Sequence, residues 1–391
     1  MPVARVRLFT YVAGFAVAVA TALPAYVNSS FLATVVSDQK VGLVYTLASI
    51  TAIIALAITP TLIKWFGNIA ITTGVASLTL LSLVLLSSAP SIKWWALGLF
   101  GFYYAAMFVL RFTLDLYLEH LSTDERTGEI RGLFLTIINV AWLLSPLVAG
   151  VMITAWGFSS LYFLAALMLV PLLYVAGHYL SRAEAKPKYL GRSQLSVIIG
   201  LLTRTDIKTS NLRRILVIDL LLNFFYAVMV IYSPLYLIQT IGLSWSELGV
   251  VFTIMLLPFV LFEYPLGRLA DRWIGEKEIL ATGLVIAGLS TLFIPLVATK
   301  SLVIWSALLF MTRVGASAIE AMKEIYLFKK IDSNDTSIVS LSRDAIPLSY
   351  IIAPLAVSTF LVYFLLSHIF YALGLLMFIG LIPTYRLQDT K

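Results

Sequence analysis

Apolar residues in this chain come in long unbroken runs, not in the alternating or half-and-half patterns of a water-soluble fold. Twelve such runs can be marked, at about 8–33, 40–63, 69–89, 94–119, 131–154, 159–180, 213–240, 245–266, 277–298, 301–328, 338–363 and 367–385. Each is 18 or more residues long. As an α-helix rising about 1.5 Å per residue, each can cross about 30 Å of hydrocarbon. Helix is the form open to them, because lipid offers no partner to an unpaired backbone group. Barrel strands would be about ten residues long with every second residue polar, which these runs are not. The pattern predicts an all-α membrane protein with twelve transmembrane helices.

Composition agrees. The 391 residues are 60% hydrophobic and 12% charged, with a mean hydropathy of +0.97, too few charges to cover a soluble surface. There is no cysteine, hence no disulfide, thiolate chemistry or cysteine metal site. His120, His178 and His368 lie far apart with no metal-ligand spacing, and no metal or other cofactor is expected. The net charge of +7 is placed by topology and not for nucleic acid. Between the runs, Lys40, Lys93 and Lys300 fall on one side. The other side holds a series from Arg5, Arg7 and Lys64 through Arg126, Arg268 and Arg272 to Arg386 and Lys391. This positive-inside asymmetry puts both termini in the cytoplasm and the chain, multi-pass, in a cell (cytoplasmic or inner) membrane. The basic start and apolar run that follows look like a signal peptide, but the run is too long, and it reads as an uncleaved first span.

The polar stretch 181–214, with eight basic and two acidic residues, splits the runs six and six. Its apolar centre, Leu195 to Leu202, suits a short helix along the anionic inner leaflet. The halves repeat at an offset of about 207–210: "VGLVYT" at 41–46 matches "LGVVFT" at 248–253, and "LDLYLEHLSTDERT" at 114–127 matches "KEIYLFKKIDSNDT" at 323–336. "WLLSPLVA" at 142–149 matches "YIIAPLAV" at 350–357, and "PAY" at 24–26 matches "PLY" at 234–236. The expected organisation is an N-terminal six-helix bundle (1–180), a basic cytoplasmic linker (181–212) and a C-terminal six-helix bundle (213–391), a transporter plan of parallel repeats.

Against this background "EYPLGRLADRWIGEKE", residues 263–278, is unusual, with seven charged residues among sixteen. It resembles the signature loop of the major facilitator superfamily, G-x-L-a-D-R-x-G-R-K, found after the second and eighth helices. Gly267, Leu269, Asp271, Arg272, Gly275 and Lys277 stand at matching places, with one extra residue before Gly275. The first-half copy, "PTLIKWFGN", keeps Gly67 but has Pro60 for the first glycine and Lys64 for the aspartate. The resemblance implies two pseudo-symmetric six-helix bundles and a cytoplasmic gate built from Gly267, Asp271, Arg272, Glu263 and Gly275, with Arg343 as a partner and Asp115 nearby. Physically, glycine permits the tight turn, and a carboxylate can cap a helix and pair with arginine. The alternative is a solvated turn with positive-inside arginines. In the fifth span, Gly132, Ala141, Ser145, Pro146, Ala149 and Gly150 resemble the exporters' G-x8-G-x3-G-P-x2-G-G pattern, with two of its five glycines literal. Close helix packing alone would also explain them.

Polar residues inside the runs form stripes. In the seventh, Asp219, Asn223, Tyr226 and Ser233 lie within about 80°; in the tenth, Arg313, Ser317, Glu320 and Glu324 lie within about 60°. Tyr104, Arg111 and Asp115 share a face of the fourth, and Thr10, Thr21 and Asn28 a face of the first. The resemblance makes these four the cavity-lining helices. Arg313 can bind an anionic group or set the protonation of Glu320, making a proton-coupling device; or the two form a structural ion pair. Arg111 resembles the exporters' arginine of the fourth helix, but Leu114 and Asp115 depart from that motif, and a plain i,i+4 pair with Asp115 is the competing reading. Asp219 and Glu263 lie near inner ends and suit a gate. Asn139, Trp142 and Tyr350 are cavity candidates or packing residues.

The reading is a secondary active transporter of a small organic solute working by alternating access, an antiporter-type proton-coupled exporter. Proton-driven metabolite uptake is the alternative, and a non-transporting sensor or lipid scramblase a third. No G-x-x-x-x-G-K-[ST] loop is present for ATP hydrolysis, and no nucleophile–base pair for an intramembrane enzyme. The expected partners are the solute, protons and the bilayer, with the chain acting as a monomer.

Overall fold

The computed structural model describes residues 3–88, 93–120, 127–182, 203, 206–330 and 336–388; these are helices joined by short turns, with no strand among the described residues. α1 (Val3–Ala25) carries Pro24, which cannot donate to the carbonyl four residues back. The helix stops one residue later, turns through Tyr26 and Val27, and resumes as α2 (Asn28–Ala33). α3 (Asp38–Phe66), α4 (Asn68–Ser87) and α5 (Lys93–His120) follow. α6 (Thr127–Leu167) is bent at Gly157, whose φ of 74° and ψ of −176° are not helical, and α7 (Leu169–His178) continues beyond it.

α8 (Ile207–Leu235) is capped by Asp206, whose carboxylate accepts from the Thr209 amide at 3.0 Å. It widens into a π turn over Tyr236–Ile241. α9 (Trp245–Leu269) ends in the same way over Ala270–Ile274. α10 (Glu276–Phe293), α11 (Leu302–Lys330), α12 (Thr336–Phe360), α13 (His368–Ile379) and α14 (Leu381–Tyr385) complete the chain. Among the described residues, ten helices are long and apolar enough to cross a membrane. One of these, Leu133–His178, is 46 residues long. Straight, it would measure roughly 70 Å, about two bilayer cores, and the bend at Gly157 divides it into two crossings. α12 contributes the shorter apolar segment Ala345–Phe360. The twelve expected runs are thus compatible with the helices present.

The chain forms two compact units. One is Met1–Lys188 with Ser244–Val250; the other is Tyr189–Leu243 with Val251–Lys391. In the first, α1 packs on α5, α6 and α7, and α4 packs on α5 and α7. In the second, α8 packs on α11, α12 and α13, and α10 packs on α11 and α13. Shifted by one repeat, these are the same helix pairs.

Lipid tails are as apolar as leucine, so small residues that admit close contact hold such helices together. A Cβ on Gly315 of α11 would lie 2.4 Å from the Ala287 nitrogen and 2.5 Å from the Gly283 oxygen of α10. One on Gly374 of α13 would lie 2.8 Å from the Gly288 oxygen. In the first unit, a Cβ on Gly150 would meet the Trp245 oxygen at 2.4 Å, and one on Gly249 the Pro146 oxygen at 2.6 Å. The hydroxyls of Thr154 and Ser246 join the same contact at 2.8 Å. The small residues at the end of the fifth-span pattern therefore have a direct packing role.

The repeat is also written in the backbone. Gly67 (φ 85°, ψ 155°) ends α3, and Gly275 (φ 93°, ψ 164°) precedes α10. They stand at equivalent places in the two halves, in a region of φ/ψ space that is almost exclusively glycine's. Gly67→Ala and Gly275→Ala are each expected to destabilise by about 1–3 kcal/mol, lowering the unfolding temperature in detergent. Gly74 sits on an exposed helical face with open space around it. Gly74→Ala should leave that temperature unchanged or raise it. Equal losses at all three would mean that the two turn conformations are not what requires glycine.

Candidate functional site

Pro24 leaves the Ala20 carbonyl without its helical donor, and the Tyr103 hydroxyl donates to it at 3.3 Å. The helix break after Pro24 puts Asn28 at the first position of α2, where it is buried and its Oδ1 accepts from the Tyr162 hydroxyl at 2.8 Å. Tyr104 lies half-buried beside these groups, its ring 5.9 Å from Tyr45, 5.8 Å from Phe100 and 5.4 Å from Phe108. The polar centre of the first unit is thus aromatic and uncharged. Arg111 is exposed and Asp115 half-buried; the i,i+4 ion pair expected between them is not formed, as the exposed arginine gains more from water than from one half-shielded carboxylate. Asn139 is exposed and Trp142 half-buried on α6.

Charge is concentrated in the second unit. Asp219 on α8 is buried and receives three side-chain donors. Asn223 Nδ2 bonds Oδ1 at 2.8 Å, Lys323 Nζ of α11 pairs with the same oxygen, and Ser342 Oγ of α12 donates to Oδ2. One carboxylate therefore ties three helices together. A crevice of about 180 Å³, counting space open to solvent, runs beside it, lined by Ile215, Leu216, Glu324 and Leu327.

Further along α11, Glu320 Oε2 accepts from the Tyr226 hydroxyl of α8 at 2.6 Å. Arg313, two turns away, is 1% exposed. Its guanidinium carbon lies 5.4 Å from the centre of the Phe225 ring and 5.3 Å from that of Tyr226. Its Nε and Nη1 have no hydrogen-bond partner among the described residues. The structural ion pair, one of the two readings of Arg313 and Glu320, is not formed; the Tyr226 hydroxyl takes the carboxylate. Ser317 and Ser233 share these stripes, but each hydroxyl turns back to its own helix, to the Val314 and Met229 carbonyls.

At the end of α9, Gly267 faces α11, with Ile325 Cδ1 3.4 Å from where a Cβ would stand. Glu263 is half-buried and Arg272 exposed. The side chains of Asp271 and Arg343, the expected latch pair, lie outside the described residues. A different pair is formed here: Lys329 Nζ bonds Glu276 Oε1 at 2.6 Å, with the Glu276 side chain 1% exposed. It joins the first turn of α10 to the last turn of α11. Sequence reasoning missed both lysines. For Lys329 the signal was a carboxylate one residue past a turn glycine. For Lys323 it was a lysine placed among the glutamates of "EAMKE".

A family model described as Major Facilitator Superfamily matches residues 113–322 and 221–391. No curated protein matches the sequence. One solved structure of similar fold is described as a "crystal structure of a POT family transporter in complex with thioalcohol conjugated peptide". It superposes with a TM-score of 0.75 over 97% of this chain and 95% of that one, at 13% identity, a likeness of fold alone.

The Asp219–Lys323 pair gives a stability test. Asp219→Asn or Lys323→Met alone leaves a buried charge unanswered, and each is expected to cost about 3–5 kcal/mol. The double variant removes both charges and should recover much of that loss in a denaturation cycle in detergent. Strictly additive losses would mean that the two residues do not act as a pair.

Proposed function

The chain belongs to the major facilitator superfamily, a family of secondary transporters, and on that premise we propose that it moves a small organic solute by alternating access, coupled to protons through Glu320. The observation that carries this reading is the 2.6 Å bond from the Tyr226 hydroxyl to Glu320, with Arg313 left apart. A half-buried carboxyl held by one neutral donor can exchange it for water as the protein changes state, so its proton affinity can differ between states. Asp219, engaged by three side chains, suits a fixed tie between helices. We take outward movement in exchange for protons as the direction, on the likeness of the fifth-span pattern to that of exporters. The asymmetry of lysine and arginine supports a cell-membrane location with both termini inside. The chain is read as a working monomer.

The test is flux in proteoliposomes under imposed pH gradients. Wild type should accumulate solute against its gradient when protons run the opposite way. Glu320→Gln should reduce that accumulation to background while solute exchange without a gradient continues. Tyr226→Phe should keep coupling but move its pH profile. Gradient-driven accumulation that survives in Glu320→Gln would remove Glu320 from the coupling. Uptake that follows protons inward, with no exchange, would reverse the direction.

A further inference from the structure

Arg313 stands near the middle of the span Leu302–Leu327. Arginine keeps its charge in any protein environment, and burying that charge is costly unless carboxylates or carbonyls fill its fork of donors. The carboxylates that could do so are otherwise placed. Asp219 is taken by Asn223, Lys323 and Ser342, and Glu320 by Tyr226. Glu324 of α11 is exposed to solvent, and Glu263 of α9 is half-buried with no bond to Arg313. What meets the guanidinium is two aromatic faces, Phe225 and Tyr226. They offset part of the cost of desolvation but accept no N–H bond in the plane of the fork.

Tyr226 has a double part. Its ring covers Arg313, and its hydroxyl holds the carboxylate that would otherwise neutralise Arg313. The same ring lies 6.1 Å from that of Phe259 on α9, so the fork has an aromatic flank, with the Glu320 carboxylate beyond the Tyr226 hydroxyl. We propose that Arg313 recognises an anionic group, a carboxylate, phosphate or sulfonate, on a transported solute with an apolar or aromatic body. This rests on the transporter reading and adds the solute's chemical class. The anion takes one edge of the fork, Nη2 together with either Nε or Nη1, as a bidentate partner, and Phe225 and Tyr226 swing aside to admit it.

The test uses the full chain purified in neutral detergent. The probes are aromatic and aliphatic carboxylates, phosphate monoesters and sulfonates, each paired with its neutral amide or alcohol, and phosphatidylglycerol as a lipid anion. Without ligand, Arg313→Met should unfold at the wild-type temperature or above it, because an unanswered charge has been removed. A soluble anion should raise the wild-type unfolding temperature, its neutral counterpart should not, and Arg313→Met should lose the effect. Arg313→Lys should keep it with about tenfold weaker affinity, since a point charge lacks the planar fork. A folded Arg313→Met that unfolds well below wild type would make Arg313 structural and overturn the proposal. So would a response confined to phosphatidylglycerol, or to neutral compounds. Flux of a neutral solute, unchanged in Arg313→Met, would end the anion proposal and leave the transporter reading standing. Anion stabilisation that depends on Arg313, with no flux of any solute in vesicles, would do the reverse.

Discussion

A backbone carbonyl without a donor costs several kcal/mol in hydrocarbon, where no water can stand in. Pro24 creates one such carbonyl at Ala20, and much of the first unit's polar interior follows from how it is answered. The Tyr103 hydroxyl supplies the missing donor. The helix, unable to continue regularly past the proline, turns and restarts at Asn28. That restart presents the Asn28 amide to Tyr162 of α6, and Phe31 of the same short helix packs its ring 4.8 Å from Tyr162. A lost hydrogen bond thus leads to a helix break, the break to a position for Asn28, and that position to a neutral, tyrosine-rich centre.

The second unit meets the same demand with charges. Asp219 is stable at depth because its oxygens have three donors on three helices. Removing water from an ion pair is unfavourable in itself, so this arrangement adds less to stability than to uniqueness: it fixes the mutual register of α8, α11 and α12. The glycine contacts between α10 and its neighbours α11 and α13 act differently. They bring backbones together at glycine, close to one another's carbonyl oxygens, with no charged side chain at the contact.

The fold was legible in the sequence because run length in a membrane is nearly a direct readout of helix. The all-helical character of the runs and the turn glycines Gly67 and Gly275 correspond to features of the backbone, and the twelve runs are compatible with it. The sites were only half legible. Arg313, Glu320, Asp219, Asn223 and Tyr226 stood out as polar residues in apolar surroundings, and the structure brings them into two adjacent groups. Their pairing was not legible. Arg313 and Glu320 share a helix face at a seven-residue spacing, which suggested an ion pair, but the Tyr226 hydroxyl from α8 takes the carboxylate. Lys323 lies about 80° off that face, so a stripe drawn along one helix passes it by, and only the approach of α8 gives it a partner. Neighbours from other helices decide such pairings, and helical periodicity carries no information about them.

Asn68 and Glu276 carry the comparison of the halves furthest. Each is the first residue after its turn glycine, each is buried, and each reaches the helix that follows its own. Asn68 does so with an amide donating to the Thr113 carbonyl at 3.1 Å, and Glu276 with a carboxylate bonded to Lys329. The backbone requirement is identical in both copies, so glycine is kept in both. The side chain's requirement is only that a buried polar group be answered, and an amide on a backbone carbonyl meets it as well as an ion pair does. The two answers respond differently to motion. A neutral bond to backbone within the bundle strands no charge when it opens, whereas Lys329, 38% exposed, can turn to water only by leaving the buried Glu276 carboxylate unanswered. The degraded first copy of the loop, with Lys64 where the second has Asp271, fits the same division. Arg313 and Glu320 also lie in the second unit, with the Asp219 tie beside them as a fixed point, whereas the Asn28–Tyr162 and Asn68 bonds of the first unit are neutral.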